Sequence, residues 1–268
     1  MTWFKNAEEF KSMCGHEVNE TWYPRVTKIL DIKSKPALHG FYFEMGKEVN
    51  ALSDVEEITS KSAEEGSAMH EVIQKTAVGE PVDIPIEIAP VVSSFEEFKE
   101  KRGIEFHQEY IERSVWSPLH RYAGTVDALC TIDGKFGVLD IKTSAAIYPD
   151  YCLQTAAYFQ ALQEYEIKRT LALTRPVETR WILRIDQMRK CEKCGASLRE
   201  KGGRKKIRLA RKSAASCEED KHEWNGLEGE IELKEFPYFY KDVKAFLAAK
   251  ELWQWENNYW LRNIGYLK

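Results

Sequence analysis

The stretch Tyr122–Ser144 reads YAGTVDALCTIDGKFGVLDIKTS and predicts two β-strands joined by a tight turn. The first run, Thr125–Ile132, is rich in β-branched and apolar residues, and Asp133-Gly134 is a hairpin turn signal. The apolar pattern then resumes over Phe136–Ile141. The sequence therefore predicts a β-hairpin, around which we expect the rest of the chain to be organised.

Three of the charged side chains of this hairpin lie away from its turn. Asp127 lies on the first predicted strand, and Asp140 and Lys142 end the second. Because side chains alternate along a strand, Asp140 and Lys142 leave it on one face, beside a carboxylate from the neighbouring strand. Such groups are costly to bury unless they are paired or bound to a metal ion. Taken alone, Asp-x-Lys also fits a salt bridge at a strand end, and Asp127 also fits a turn cap.

Length and composition place the chain among ordinary globular proteins. Its 268 residues are 43% hydrophobic and 31% charged, which fits one large domain or a domain with an insertion. The net charge of -4 does not mark a nucleic-acid binder, although a local basic patch can supply a binding field on an acidic protein. Neither a leader-peptide pattern nor a run of about 20 apolar residues is found, so we expect no membrane partner.

The order of the predicted elements indicates the fold class. The helical patterns cover residues 36–51, 53–76, 91–101, 148–164 and 238–260. The strand patterns outside the hairpin cover residues 104–116, 180–185 and 230–235. Helices, then strands, then a helix and further strands predict an α/β fold with a mixed sheet flanked by helices. Gly66 is a point where the second helix is expected to bend or break.

Residues 187–226 interrupt this pattern with cysteines, glycines and a dense basic run. The segment is too long for an ordinary loop, and we predict that it is irregular and held together by a metal ion. The domain organisation expected is therefore one domain made of residues 1–186 and 227–268, with residues 187–226 as an inserted zinc-binding basic subdomain.

The ligands of this zinc ion are predicted from spacing. Cys191 and Cys194 form a Cys-x2-Cys turn, and Cys217 and His222 follow further along the chain. Three thiolates and an imidazole suit a tetrahedral structural zinc site, which would stabilise a segment too polar to form its own core. The alternatives are exposed thiols on a loop, or an iron–sulfur cluster with Cys14 as the fourth thiolate.

Four features in order along the chain suggest a second, different metal site. They are Gly66-x3-His70 on a helix, Asp127 and Asp140-x-Lys142 on strands, and Gln154-x3-Tyr158 on a helix. Separately, the histidine fits a helix surface or a core, and the glutamine and tyrosine, on one helix face, fit packing with a polar handle. Together, two carboxylates, an imidazole and a strand-end carbonyl suit magnesium or manganese. The lysine would orient the attacking water, or deprotonate it if its pKa were depressed.

The order Gly-x3-His, Gly-Thr-Val-Asp, Asp-Ile-Lys-Thr, Gln-x3-Tyr resembles the RecB-type branch of the PD-(D/E)xK nuclease superfamily. This branch includes the nuclease domain of bacterial recombination helicase–nucleases, CRISPR-associated exonucleases, phage exonucleases and the mitochondrial genome maintenance exonuclease. The segment Tyr23–Leu30 (YPRVTKIL) is similar to the N-terminal part of several phage and mitochondrial members. Two departures are that Val126 replaces the usual proline and that the cysteines are spaced differently from those of iron–sulfur members.

The resemblance implies a restriction-endonuclease-like core with N-terminal helices, and a magnesium- or manganese-dependent deoxyribonuclease. It implies that the metal ligands are His70, Asp127, Asp140 and the carbonyl of Ile141. It also implies that Lys142 is catalytic. The residues expected to support the site are Glu112, Gln154 and Tyr158.

The same resemblance implies biological context. DNA is the expected substrate, the activity is expected to be exonucleolytic, and recombination or replication proteins are possible partners. The location implied is the cytoplasm of a bacterial or phage-infected cell, in DNA replication, recombination or repair. The alternatives left open are a non-catalytic DNA-binding or recombination module of the same fold and an iron–sulfur CRISPR-associated nuclease.

The basic run Lys201–Lys212, KGGRKKIRLARK, fits either a solvated face or an arm that contacts phosphates. For a nuclease we predict the second, with Arg204, Lys205, Lys206 and Arg208 as the DNA-binding residues. Neutralising them should weaken DNA binding and flatten its salt dependence. In the last helix Trp255 and Tyr259 share a face, which fits core packing or base stacking.

Overall fold

The structure, a computed structural model, describes residues 4–49, 51–210, 217–218 and 221–268. The helices are α1 (Ala7–Cys14), α2 (Val26–Leu30), α3 (Pro36–Glu48), α4 (Leu52–Ala77), α5 (Ala89–Arg102), α6 (Pro149–Gln163), α7 (Tyr165–Thr170), α8 (Tyr240–Glu256) and α9 (Asn258–Asn263). The strands are β1 (Gly15–Val18), β2 (Thr21–Pro24), β3 (Glu105–Phe106), β4 (Arg113–Ser117), β5 (Tyr122–Val126), β6 (Ala128–Ile132), β7 (Lys135–Lys142), β8 (Thr179–Lys190), β9 (Ser197–Lys201), β10 (Arg204–Arg208) and β11 (Glu228–Glu235).

The main sheet has the order β10-β9-β8-β7-β6-β3, and β11 also pairs with β8. β6 and β7 form the predicted antiparallel hairpin around Asp133-Gly134, whereas β7 and β8 run parallel and are joined through α6 and α7. β8 and β11 are antiparallel. The predicted α/β class with a mixed sheet flanked by helices is therefore confirmed.

The alternation along β7 separates two hydrophobic cores. Phe136 and Val138 join the core that includes residues of α1, α2, α6 and α8. Leu139 and Ile141 join the core that includes residues of α4 and α5. Because both faces of β7 are covered, its last polar side chain before the end of the strand, Asp140, is also buried.

The first predicted strand of the hairpin is divided in the structure. β5 pairs with β4 in a separate two-stranded sheet, and β6 pairs with β7 in the main sheet. Asp127 therefore lies at the junction between two strands, and the prediction that it is part of one continuous strand is wrong. The predicted strand at residues 104–116 is divided as well, into β3, a short 3-10 helix at Gln108–Tyr110, and β4.

The segment 187–226 is more regular than predicted. β8 continues to Lys190, so the predicted domain boundary falls inside a strand, and β9 and β10 extend the main sheet from its end. Residues 211 and 212 of the predicted basic run lie outside the described residues.

Two further elements differ from prediction, and the N-terminal segment adds α1 and a β1–β2 hairpin where no element was predicted. The last predicted helix is broken at Asn257 into α8 and α9. α4 passes through Gly66 without interruption. Among the described residues, no helix combines the length and apolar character that a membrane crossing requires.

Candidate metal centres

Asp127 connects the helix α4 to the end of β7. Its Oδ2 atom accepts a hydrogen bond of 2.7 Å from the backbone N–H of Ile141 and lies 3.1 Å from His70 Nε2. The strand junction makes this possible, because the backbone turns from one sheet to the other at this residue. The backbone of Ile141 thus meets Asp127 through its N–H, whereas the predicted ligand is its carbonyl oxygen.

His70 reaches the site because Gly66, one turn earlier on α4, lets the helix approach the residue after β7. A Cβ atom at Gly66 would lie 2.8 Å from Thr143 Oγ1, closer than side chains tolerate. The spacing Gly-x3-His places both residues on the same helix face. The small residue allows the close approach, and His70 then faces Asp127.

Glu112 lies closer to His70 and Asp127 than its predicted supporting role requires. It precedes β4 with a left-handed backbone, φ 49°, and its N–H donates to the carbonyl of Asp127 over 3.1 Å. Each of His70, Glu112 and Asp127 offers one ligand atom within 4.8 Å of the others. Gln74, one turn after His70 on α4, donates to Glu112. Gln74 was not among the predicted site residues, although its spacing of four from His70 places it on the same helix face.

Asp140 lies beside this group of three and is held by Lys142. Lys142 Nζ is 2.8 Å from Oδ1 and 2.7 Å from Oδ2 of Asp140, which is 1% exposed. Gln154 Nε2 contacts Oδ1 at 3.2 Å and the hydroxyl of Tyr158 at 3.1 Å. Oδ2 accepts no hydrogen bond of good geometry from any described residue, despite its short distance to the ammonium.

The tyrosine is placed by a second glycine. A Cβ atom at Gly124, on β5, would lie 2.4 Å from the ring of Tyr158, so the ring fits only against a glycine. The predicted supporting pair, Gln154 and Tyr158, is thereby brought against Asp140 from α6. All the residues predicted for this site are thus within one connected network.

Burial and charge act on these groups in opposite directions. Burial raises the pKa of Asp140 to about 6, although Lys142 opposes the change. Burial also raises the pKa of Asp127, but the hydrogen bond with His70 and the charge of Lys142 outweigh it and lower the pKa. The pKa of His70 is raised, because Asp127 outweighs the effect of burial.

Lys142 keeps its proton in this arrangement. Burial lowers its pKa, but the carboxylates of Asp140 and Asp127 more than compensate, and the pKa is raised. A lysine must have a depressed pKa to take a proton from water near neutral pH. In this arrangement Lys142 is a positive charge beside Asp140, which is the form that the predicted orienting role needs.

The donor atoms fit a magnesium or manganese ion. Neighbouring ligands of an octahedral ion with bonds of about 2.1 Å lie about 3.0 Å apart. The 3.1 Å between His70 Nε2 and Asp127 Oδ2 matches this spacing, and an ion bound by both atoms would replace the hydrogen bond between them. Asp140, a predicted ligand, is not among the residues whose ligand atoms lie within 4.8 Å of one another, and its Oδ2 atom lies 2.7 Å from Lys142 Nζ instead. Mostly oxygen donors with one imidazole suit these hard ions better than zinc.

The predicted zinc ligands converge in a separate cluster. Cys191 Sγ and Cys217 Sγ are 4.0 Å apart, Cys194 Sγ and His222 Nδ1 are 3.4 Å apart, and all four ligand atoms lie within 4.8 Å of one another. With bonds of about 2.3 Å, sulfur ligands of a tetrahedral zinc ion lie about 3.8 Å apart. The geometry therefore fits zinc.

Local backbone geometry and charge also favour a metal at this cluster. Gly195, with φ 69°, donates its N–H to the carbonyl of Cys191 and closes the turn. Burial raises the pKa of Cys191, but His222 and backbone N–H groups lower it to about 6, which favours the thiolate. Cys14 belongs instead to the core around α1, so the structure does not bring it to the cluster as an iron–sulfur site would need.

The predicted DNA-binding residues divide between the two sides of β10. Arg204 makes a two-point ion pair with Glu48 at 2.8 and 2.6 Å, and Lys205 contacts Glu200 at 3.0 Å from the opposite side. Lys206 and Arg208 share the side of Arg204 because strand residues alternate. Arg208 approaches the carbonyl of Ala145, in the loop after β7, at 3.5 Å.

The aromatic residues of the last helices have different environments. Trp253 is 4% exposed and packs in the core, and Trp260 stacks on Phe10. Trp255 and Tyr259 are 75% and 68% exposed, so this pair does not pack in the core, which was one of the two predicted alternatives.

Comparison with known proteins identifies no family for this chain. No family model matches it, and no curated protein is significantly similar to it. Its function must therefore be inferred from the residues and their geometry.

Proposed function

We propose that the protein is a DNA nuclease that hydrolyses phosphodiester bonds with a magnesium or manganese ion. The supporting observation is that His70, Glu112 and Asp127 meet beside the buried Asp140–Lys142 pair. His70 lies on α4, Glu112 directly precedes β4, and Asp127 lies between β5 and β6. Asp140 and Lys142 lie at the end of β7, so the fold brings distant parts of the chain together at this site. A buried carboxylate and ammonium are costly, which favours a functional reason for keeping them there.

His70, Glu112 and Asp127 would hold the ion, and Asp140 beside them would add a second buried carboxylate charge. When bound, such an ion activates water and stabilises the negative charge that develops on the phosphate. Asp127 is suited to this role because its pKa is lowered, so its carboxylate is ionised at neutral pH. Gln154 holds Asp140 in place from α6.

Lys142 would act through its positive charge. Its ammonium contacts both oxygens of Asp140 and lies 5.2 Å from the ring centre of Tyr151. A point charge on a flexible stem can bind a phosphate oxygen or hold the attacking water in place. The carboxylates of Asp140 and Asp127 outweigh burial and raise the pKa of Lys142, which favours its charged, orienting form.

The preference for DNA is supported by the position of the basic strand β10. Arg208 lies next to the loop that follows Lys142, and Lys206 is on the same side of the strand. Lysine and arginine side chains bind phosphates without reading the base sequence. We propose that the activity is exonucleolytic and serves replication, recombination or repair, with Lys206 and Arg208 on the path of the DNA backbone.

The test is digestion of end-labelled linear DNA and of circular DNA, single- and double-stranded, with magnesium or manganese. We expect wild-type protein to degrade linear DNA, EDTA to stop the reaction, and Asp127→Asn or Lys142→Ala to slow it by about 10²-fold or more. Lys135→Ala is the matched control, since Lys135 is an exposed lysine at the other end of β7.

Three results would decide against parts of this proposal. Full activity of Lys142→Ala would contradict the assignment of these residues as the hydrolytic site. Cutting of circular DNA would show an endonuclease. Binding of DNA by the wild-type protein without cleavage under any of these conditions would favour the non-catalytic module of the same fold.

A further inference from the structure

The turn between β9 and β10 contacts both segments that carry the site. Lys201 Nζ donates to the carbonyl of Thr143 over 2.5 Å, and Thr143 directly follows the catalytic lysine. The N–H of Gly202 donates to Glu65 Oε2 over 2.8 Å, on the helix that carries His70. The turn thus connects α4 to the end of β7.

The contact is too close to allow a side chain in the turn. A Cβ atom at Gly202 would lie 2.5 Å from the carbonyl oxygen of Ile58 and 2.9 Å from Ser62 Cβ, and φ is 63°. The neighbouring Gly203 has a similar backbone, φ 76°, but nothing lies within 4 Å of its Cβ position. The two glycines therefore have the same conformational requirement and differ in their contact with α4.

Gly66 closes the same contact from the side of α4. A Cβ atom there would meet Thr143 Oγ1 at 2.8 Å and Lys201 Nζ at 3.2 Å. Helix, strand end and turn therefore meet at one point without spare room. A displacement of the turn would be transmitted to both catalytic segments, because close-packed contacts do not deform gradually.

The other end of this hairpin is attached to the thiolate cluster. β9 begins three residues after Cys194, and Ile207 of β10 packs against the cysteines. The buried core here consists of Cys191, Cys194 and Ala196 with a few partly buried neighbours. So small a core cannot fix a hairpin by apolar contact alone, whereas a structural metal ion can.

We propose that zinc bound by Cys191, Cys194, Cys217 and His222 holds the β9–β10 turn against α4 and β7, and so positions the hydrolytic site. Lys201 and Gly202 are positioning residues in this scheme, since they act through Thr143 and α4. The effect on cleavage rests on the proposed nuclease function, whereas the effect on structure does not. The protein would then need two metal ions of different chemistry, one to arrange the site and one within it.

The first experiment measures zinc and its structural effect. We expect about one zinc per chain by elemental analysis of the purified protein, and its loss in Cys194→Ser. Removing zinc with a chelator should accelerate amide hydrogen exchange in residues 58–66 and 141–145, and zinc should reverse the change where magnesium does not. Absence of zinc, or exchange in these segments that ignores it, would overturn the inference.

The second experiment leaves the cluster intact and compares Gly202→Ala with Gly203→Ala. Both variants bear the cost of a side chain at positive φ, but only the first displaces the turn from α4. We expect Gly202→Ala to retain zinc, to show faster exchange in residues 58–66, and to lose about 10²-fold in kcat at saturating DNA. Gly203→Ala should match the wild type in kcat and exchange.

Lys201→Met should reproduce the effect of Gly202→Ala more weakly, and Lys201→Arg should restore part of it. Lys241→Met is the control, because Lys241 is exposed on α8, outside the hairpin and the thiolate cluster. Equal behaviour of the two glycine variants would overturn the inference. If the wild type cleaves no DNA, the proposed function fails, and zinc content and hydrogen exchange still decide this inference.

Discussion

At the scale of single residues, Asp127 determines how the site is assembled. Its carboxylate is bound from two sides, by the N–H of Ile141 and by His70. The charge of Lys142 and the hydrogen bond from His70 outweigh the burial of this carboxylate, so it stays ionised. By contrast, burial raises the pKa of Asp140 to about 6. The two carboxylates therefore differ in charge near neutral pH. Asp127 is ionised without further help, whereas the ionised form of Asp140 depends on a nearby positive charge such as Lys142.

Glu112 should be a metal ligand, so Glu112→Gln should weaken binding of manganese. Loss of an outer-sphere partner of a metal ligand typically lowers metal affinity by roughly 10- to 100-fold. Loss of a direct carboxylate ligand should lower the affinity at least as much. Manganese binding by calorimetry or electron paramagnetic resonance measures the effect, with Glu109→Gln as the control because Glu109 is exposed three residues away. Unchanged affinity in Glu112→Gln would leave Glu112 with the supporting role that the sequence predicts.

Lys201 should make stability depend on pH in the alkaline range. Burial, with a smaller effect of Arg199, lowers its pKa from 10.5 to about 8. Between these values the unfolded chain holds more protons than the folded one, so this group makes stability rise with pH. Below pH 8 the cost of burying the ammonium is fully present.

Denaturant unfolding of the wild type and of Lys201→Met between pH 7.5 and about 10.5 tests this sign. We expect the free energy of unfolding of the wild type to gain on that of the variant as pH rises through this window. The difference between the two proteins cancels the titration of the remaining groups. Parallel curves would show that Lys201 has an ordinary pKa in the folded state.

At the same scale, the site residues that could be predicted from the sequence are those that belong to short local motifs. His70, Asp127, Asp140 and Lys142 stand in short motifs, and the structure brings them into one network. The proximity of Glu112 to His70 depends on a left-handed backbone and on a long-range bond to the carbonyl of Asp127. Neither of these has a signature in the neighbouring residues.

At the scale of elements, strong periodic patterns were predicted well and interruptions were not. β7 and α6 lie where the alternation and the helical period place them. The break at Asp127 is invisible because TVDALCTI reads as one β-branched run, and the break depends on β5 pairing with β4 elsewhere. The β9–β10 hairpin was missed because its strands are basic, although Gly202-Gly203 between them is a hairpin signal.

Gly66 and Gly46 allow an element-scale prediction with a matched pair. Both lie inside helices, where alanine in place of glycine is stabilising by roughly 0.5–1 kcal/mol. Gly46→Ala should show this gain, since nothing lies within 4 Å of its Cβ position. Gly66→Ala should instead destabilise by about 1–3 kcal/mol, because its Cβ meets Thr143.

Urea unfolding of both variants measures the difference, and circular dichroism confirms that each is folded. We further expect Gly66→Ala to raise the manganese concentration needed for half-maximal cleavage, because α4 carries His70. An equal gain of stability in both variants would show that α4 does not press against the end of β7.

At the scale of the whole molecule, the charge distribution matters more than the net charge of -4. The side of β10 that carries Arg204 also carries Lys206 and Arg208, and Arg208 lies next to the loop after β7. Arg204 is engaged by Glu48, so its removal would disturb the packing of the hairpin on α3 as well as any phosphate contact. Lys206 and Arg208 are therefore the sharper probes of DNA binding.

The double variant Lys206→Gln, Arg208→Gln should bind DNA more weakly and with a flatter dependence on salt. Each lost phosphate contact removes about one unit from the slope of log K against log salt. Binding is measured in EDTA, so that cleavage does not interfere, over a series of salt concentrations. The control is Lys241→Gln, Lys244→Gln, which removes the same charge from exposed positions of α8. If β10 contacts DNA phosphates, the slope of log K against log salt should become smaller only in the Lys206, Arg208 variant. An equal change in both double variants would mean that only the overall charge matters. It would contradict the proposed contact of β10 with the DNA backbone.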